Sequence, residues 1–364
     1  MRPKSESAGP IHVALITPGF PSDESDTPCI PALQEYLQGL SRYAPNVETT
    51  VLALRYPHRG EPYRWNGLNV FPSGGRQRRF PAIVPSWLDL TRNFRRLTKR
   101  RPVHVVHSLW LGECALLGTL LARIYGIPHL VTLMGQDARI KKRYRWLLDR
   151  PRNVVVALSE FQRRDLLSQG RDAAHVIPWG IDVAAAREPT ELDIDVLGVG
   201  SLIELKDFEK FLRVVAVLKA TKPDLVCVIA GDGSQRFPLE KLAKELQLEK
   251  VVTFEGAVKR ERVLDLMARS RVLLHTSGFE SYGFVFAEAL ANGARIVSGP
   301  VGIAQAGRAW AIEEAIPAMA AAVERFLAQD PALPSFPYPA EDTVRSYSTL
   351  YGALARTKAD SAHI

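Results

Sequence analysis

Short apolar, β-branched runs alternate with helical patterns along the whole 364-residue chain, and this alternation limits the fold more than any other feature. Residues 11–17, 47–54, 103–107, 129–133 and 154–158 read as strands of a first half. Residues 195–201, 225–230, 251–255, 271–276 and 294–298 read as strands of a second. Helical patterns lie between them. In 31–43, Leu33, Leu37 and Leu40 fall on one face, and 208–219 is nearly continuous in Phe, Leu and Val. Alternation of this kind implies parallel sheets covered by helices on both faces. Two successive sets imply an α/β chain of two doubly wound, Rossmann-like domains, with ligands in the crevice outside the carboxyl ends of the strands.

The boundary is expected within 178–190, where Trp179-Gly180-Ile181-Asp182 leads into a short Ala-rich, polar stretch. That gives a first domain over 1–183 and a second over 184–335. The Pro-rich stretch 331–339 is incompatible with regular helix, a helix is expected again over 309–327 and over 341–358, and the first eight residues are expected to be disordered.

Hydrophobic content of 46%, charged content of 24% and a mean hydropathy of −0.05 are those of a globular protein. No run reaches the roughly 18–20 apolar residues of a membrane span, and the N-terminus lacks a signal peptide's apolar core. Cys29, Cys114 and Cys227 are dispersed, which predicts reduced thiols in a cytoplasmic setting rather than a disulfide or zinc framework. Charge is uneven. Residues 1–185 hold 26 Lys and Arg against 15 Asp and Glu, a net of +11, whereas the remainder holds 21 against 24, a net of −3. The excess gathers at 76–79, 92–101 and 141–145, and predicts either solvated faces or an anionic partner such as the inner face of a membrane. In 87–101, Leu90, Phe94 and Leu97 form an apolar stripe opposite Arg92, Arg95, Arg96 and Lys99, the pattern of an interfacial helix or of a surface helix packed on its domain. No recognition motif accompanies the basic clusters, so nucleic acid is not an expected partner.

One segment carries chemistry. The run Ser277-Gly278-Phe279-Glu280-Ser281-Tyr282-Gly283-Phe284-Val285-Phe286-Ala287-Glu288-Ala289-Leu290 follows a buried strand and becomes a helix ending near Asn292-Gly293. A helix starting near Gly283 offers unpaired N–H groups and a positive dipole end to an anion. Glu280 and Glu288 flank that junction as acceptors for ligand hydroxyls.

This segment resembles the donor motif of the retaining glycosyltransferases of family 4, in which seven residues separate two glutamates. Ile177-Pro178-Trp179-Gly180-Ile181-Asp182, Gly198-Val199-Gly200-Ser201 followed by Lys206, Ala230-Gly231-Asp232-Gly233 and Phe254-Glu255-Gly256 are similar to further landmarks of that family, in the same order. Residues 338–351 resemble its terminal helix, which returns to the first domain. The resemblance implies the GT-B fold, two Rossmann-like domains facing across a cleft. It implies that Glu288 binds ribose hydroxyls, that Glu280 contacts the sugar near its anomeric centre, and that Lys206 pairs with the diphosphate. Ser281, Tyr282, Gly283 and Phe284 join the donor-binding set, with Ser201, Gly233 and Gly19. Glycines at 231 and 233 also suit a tight strand-exit turn.

The first half departs more from the family. Only Gly19, in Thr17-Pro18-Gly19-Phe20-Pro21, remains where the family has a Gly-Gly pair, Ser201 stands where it has Arg, and Met134 where it often has His. Asp137 is then the polar candidate for the catalytic set, or a helix cap. His107 faces either the cleft or the core. Ser159 is expected to cap the helix 160–169, and the loop after Gly302 is shorter than the family's.

The resemblance implies a metal-independent hexosyltransferase that needs no cofactor, taking a UDP- or GDP-sugar as substrate and a saccharide or glycolipid as acceptor. An impaired or partner-dependent relative, and a nucleotide-sugar epimerase of the same architecture, are the competing readings.

Overall fold

The computed structural model describes residues 9–135, 137, 142–182, 187 and 191–361. The expected disordered residues 1–8, the start of the basic cluster at 141–145 and most of the boundary stretch 183–190 lie outside these. The chain divides into two compact units, one of Met1–Leu158, Arg163–Pro178 and Ala340–Ile364, the other of Ser159–Gln162 and Trp179–Pro339.

The first unit carries β1 (Ile11–Gly19), α1 (Pro31–Tyr43), β2 (Val47–Tyr56), β3 (Tyr63–Trp65), β4 (Leu68–Pro72), α2 (Val84–Arg100), β5 (Val105–Leu109), α3 (Glu113–Tyr125), β6 (His129–Thr132), β7 (Asn153–Ala157), all but the first three residues of α4 (Glu160–Ser168), and β8 (His175–Val176). Its eight strands lie in the order β3-β4-β2-β1-β5-β6-β7-β8. Neighbours are parallel except β3 against β4. Chain order therefore reverses between β1 and β5. The β3–β4 hairpin went unread in the sequence although its turn, Asn66-Gly67, has positive φ at both residues (43° and 82°), the Asn-Gly signature of a two-residue hairpin. Leu90, Phe94 and Leu97 of α2 pack into the core with Ala14, Leu52 and Val106. The apolar stripe of that helix is thus used inside its own domain, where each such side chain contributes roughly 1.5–3 kcal/mol by burial. The opposite face leaves Leu88, Arg92, Arg95, Arg96 and Lys99 exposed.

The second unit follows with β9 (Ile194–Val199), α5 (Phe208–Thr221), β10 (Cys227–Ala230), α6 (Arg236–Glu245), β11 (Val252–Gly256), α7 (Arg260–Ala268), β12 (Ser270–His275), α8 (Phe284–Ala291), β13 (Arg295–Ser298), β14 (Trp310–Ile312) and α9 (Ile316–Leu327). Its strand order is β11-β10-β9-β12-β13-β14, all parallel, with the reversal between β9 and β12. The expected helix 309–327 is corrected here. Its first residues form the edge strand β14, pairing Ile296 with Trp310, and the helix starts only at Ile316, whose next residue is Pro317 at a permitted helix start.

The last helix, α10 (Ala340–Ser361), belongs to the first unit and packs on α1. Gly39 of α1 makes room for it: a Cβ there would sit 3.1 Å from Cγ2 of Val344. Among the described residues no helix is long and apolar enough to cross a membrane.

Candidate functional site

In an open parallel sheet the crevice lies where strand order reverses. In the second unit that is the pair of exits from β9 and β12, the exits that carry Gly200-Ser201 and the glutamate motif. The loop after β12 is laced to the 3₁₀ turn Glu204–Lys206. Thr276 Oγ1 donates to the carbonyl oxygens of Lys206 (3.2 Å) and Asp207 (2.8 Å), and the Gly278 N–H to that of Leu205 (3.1 Å). These bonds bring Lys206 against Glu280.

Lys206 Nζ and His275 Nε2 both meet Glu280 Oε1, the histidine at 2.9 Å. Burial pushes the Glu280 carboxyl upward, but the His275 hydrogen bond and the Lys206 charge outweigh it and hold the group down at about 2. His275 is driven below its ordinary value by burial, against the pull of Glu280. An ionised carboxylate only accepts, so the neutral ring carries its proton on Nε2.

The next residues are shaped by close backbone approach. Gly283 caps α8 at φ 80°, where a Cβ would lie 2.5 Å from the Phe286 ring, and no side chain caps that first turn. Gly302 has φ 62°, and a Cβ would meet the Tyr282 carbonyl oxygen at 2.2 Å. Tyr282 is 3% exposed, and its hydroxyl has no hydrogen-bond partner among the described residues. Its ring lies 6.3 Å from that of half-buried Phe284. Ser281 is buried, and its carbonyl accepts from Ser159 Oγ, which in turn accepts the Gln162 N–H at 3.1 Å as a helix cap. One turn along α8, the buried Glu288 accepts from Arg260 Nε at 3.0 Å. Arg260 opens α7 and supplies a cation near the motif, in a chain with Ser201 where an arginine was expected. Ser201 itself is exposed. Gly231 and Gly233 are required by packing: a Cβ would fall 1.8 Å from the Gly200 carbonyl oxygen and 2.4 Å from that of Leu202.

The first unit's candidates fare differently. His107 is corrected. It is fully buried, Nδ1 pairing with the Tyr351 hydroxyl (2.7 Å) and Nε2 with Thr132 Oγ1 (2.8 Å), and Tyr351 reaches Tyr36 at 2.7 Å. Burial, helped by the nearby His129, lowers its pKa to about 3. It is a satisfied core histidine tying α10 to the sheet. Asp137 is also committed, accepting the N–H groups of Leu111 (2.6 Å) and Gly135 (2.7 Å). Burial raises its pKa against those bonds. It lines a cavity of about 320 Å³ with Pro18, Arg55, Trp110, Glu113 and Tyr144, at the carboxyl ends of β1 and β5. Gly19 meets only ordinary contacts, 3.6 Å from Ile30 and Tyr56, and nothing there demands glycine.

Lys206, Glu280 and their loop are therefore brought together, with Ser281, Tyr282, Gly283, Phe284 and Glu288 following on the same segment. His275 and Arg260 were missed. His275 was read only as part of an apolar strand, and Arg260 lies 28 residues from its partner, with no local signal.

The profile of glycosyl transferases group 1 matches residues 185–333, and that of glycosyltransferase family 4 matches residues 33–185. An uncharacterized glycosyltransferase of Bacillus subtilis (strain 168) is 26% identical over 182 residues, 46% of this chain and 51% of that protein. The N-acetyl-alpha-D-glucosaminyl L-malate synthase of Bacillus anthracis is 30% identical over 220 residues, 55% of this chain and 56% of that protein. The chain thus spans about half the length of these curated relatives. Among solved structures, the sucrose-phosphate synthase of Thermosynechococcus elongatus superposes with a TM-score of 0.69 at 15% identity, over 97% of this chain and 98% of that one. Anabaena HepE, solved with UDP and glucose, gives 0.66 at 14%, over 97% and 99%.

Proposed function

The chain belongs to the group 1 glycosyltransferases of GT-B fold, and from that premise we propose that it moves a sugar, with retention of configuration, from a nucleoside-diphosphate donor to a saccharide or lipid-linked acceptor. The observation that carries this reading is the ionised Glu280 carboxylate held by Lys206 and His275 at the β9/β12 reversal, on the same segment as Glu288. Glu280 accepts hydrogen bonds from sugar hydroxyls, Glu288 from the ribose diol, and Lys206 stabilises charge developing on the diphosphate. The uncapped first turn of α8 offers further N–H groups to an anion. The acceptor attacks on the face the nucleotide leaves, and the departing diphosphate takes its proton. Positioning and charge stabilisation then account for the acceleration without a protein nucleophile or a metal.

The first domain is the proposed acceptor side. The exposed basic face of α2, with Leu88 beside Arg92, Arg95, Arg96 and Lys99, supports peripheral contact with an anionic membrane. Co-sedimentation with phosphatidylglycerol vesicles at low salt tests that part, and absence of binding removes it.

The test of the activity is a thermal-shift screen against UDP-, GDP- and ADP-sugars, since a bound donor must stabilise the folded chain. Turnover of the stabilising donor with saccharide and glycolipid acceptors then follows, read by the anomeric configuration of the product and repeated with a chelator. Donor binding without transfer would favour an impaired relative, and interconversion of the free donor an epimerase. No stabilisation by any donor would sink all three.

A further inference from the structure

Glu280 has two donors on one oxygen and they differ in freedom. Lys206 carries its ammonium on a flexible stem, is 21% exposed, and approaches Oε1 from the 3₁₀ turn after β9. His275 is the last residue of β12, 4% exposed, and its ring stands edge-on to Phe286 with centroids 4.7 Å apart. The histidine has nowhere to go, whereas the lysine does. Both crowd Oε1, which leaves Oε2 to a ligand hydroxyl.

The same lysine cannot fully serve Glu280 and an incoming diphosphate at once. A largely buried carboxylate left without any partner is strongly disfavoured, so movement of Lys206 toward phosphate requires the other donor to stay behind. Resting on the reading of Lys206 as the cation for the donor diphosphate, we infer that His275 is a positioning residue: it holds the Glu280 carboxylate in place while Lys206 transfers its ammonium from Glu280 to the bound diphosphate. The neutral Nε2–H keeps one hydrogen bond on Oε1 throughout, and Glu280 remains ionised and aimed at the sugar after the lysine has left. Nothing in the step is covalent, and no proton changes hands.

The test is calorimetric titration of the full chain with UDP and GDP, and with uridine and guanosine, which lack the diphosphate. His275→Leu removes the donor while keeping an apolar side chain, and His275→Gln restores an N–H near the position of Nε2. His275→Leu is expected to weaken the bound nucleoside diphosphate at least tenfold and to change the matching nucleoside less than twofold, with His275→Gln within threefold of the parent. The deciding comparison is a double-mutant cycle. In a Lys206→Ala background no ammonium has to move, and His275→Leu should then change diphosphate affinity less than twofold. Thermal unfolding of each variant reports whether it is folded. An equal loss for nucleoside and diphosphate, or an effect that persists without Lys206, would assign His275 an ordinary packing role and overturn the inference alone. A parent chain that binds neither UDP nor GDP would overturn it together with the donor reading beneath it.

Discussion

The two sheets reverse their strand order in the same way, yet the loops at the two reversals are built from opposite materials. In the second unit the left-handed and tightly approached positions are Gly200, Gly231, Gly283 and Gly302, with Asp207 the one non-glycine on the adjoining turn. Glycine takes such φ values without steric cost, and aspartate tolerates them. In the first unit the corresponding exits hold Ile30 at φ 50° after β1 and Trp110 at φ 65° after β5. A β-branched residue before proline and a bulky indole are both outliers in that region, and conformations of this kind cost of order 1–3 kcal/mol each. The charges divide likewise. At the second reversal Lys206 and Glu280 face each other partly exposed. At the first, Asp137 is used by two backbone amides, and Arg55 is held by Glu113 at 2.7 Å and by the carbonyl oxygens of Arg76 and Arg78. One reversal lets backbone segments approach one another closely, while the other arranges side chains around a cavity. The comparison teaches that a shared topology fixes only where a ligand sits, and that the loop residues decide what kind.

The largest effect should come from the second reversal. Glu280→Ala is expected to lower kcat by about 100- to 1,000-fold, the range seen when one preorganised electrostatic group is removed. Nucleoside diphosphate affinity should be kept or raised, because the variant frees Lys206 from its ion pair with Glu280. Steady-state rates with calorimetric donor affinities check this, and a tenfold or smaller loss of kcat would break the assignment of catalysis to this unit.

Acid should separate the two units next. His107 and His129 have their pKa values lowered by burial to about 3 and about 4, from 6.5. Above pH 6.5 both folded and unfolded chains leave these rings neutral and stability is full. As pH falls the unfolded chain takes up protons that the fold refuses, so the first unit loses up to about 1.4 kcal/mol per pH unit for each ring. The Glu280 carboxyl, held at about 2 against an ordinary 4.5, keeps its contribution above pH 4.5 and loses it only as pH falls toward 2. Denaturant midpoints between pH 7 and pH 4.5 should therefore fall mainly through the first unit, where burial lowers His12, His107 and His129, against His275 alone in the second. His107→Leu, although less stable at pH 7, should make that slope shallower.

These contrasts were unevenly legible. The helix Pro31–Tyr43 matches its expected bounds, and α8 begins right after Gly283, because apolar periodicity, proline at a helix start and a glycine cap are local signals. The ten expected strands are all present for the same reason. What escaped was non-local. His107 is satisfied by Tyr351, 244 residues away on a helix that returns to the sheet, and nothing near His107 announces it. The pairing of Arg260 with Glu288 and the identity of the second donor to Glu280 depend in the same way on which loops meet. The short strand β14 was hidden by a sequence that reads equally well as the start of a helix.

A smaller effect is expected one turn along α8. Glu288→Gln keeps the shape beside Arg260 but replaces a charged acceptor, and hydrogen bonds to charged groups contribute roughly 1.5–3 kcal/mol. Donor affinity should fall about tenfold. The parent should bind 2′-deoxy-UDP less tightly than UDP, and the variant should bind the two about equally. If the variant still distinguishes them as the parent does, Glu288 does not read the ribose.

The smallest effect should come from the strained position of the first reversal, and it has the opposite sign in stability. Trp110 is half-buried, lines the cavity with Arg55, Glu113 and Asp137, and holds its backbone where only Gly, Asn or Asp sit easily. Strain of this kind persists where the surroundings over-determine it, and an aromatic face among charged and amide groups suits a saccharide ring. Trp110→Asn relieves the backbone and removes the ring. The expected outcome is a Tm that is kept or raised, unchanged UDP affinity, and a KM for acceptor raised about three- to tenfold, equivalent to roughly 0.7–1.4 kcal/mol of acceptor binding. Loss of donor affinity with acceptor KM unchanged would transfer the first reversal to the donor side and erase the contrast between the two units. A lowered Tm with unchanged kinetics would make Trp110 a packing residue and leave the cavity without a role in transfer.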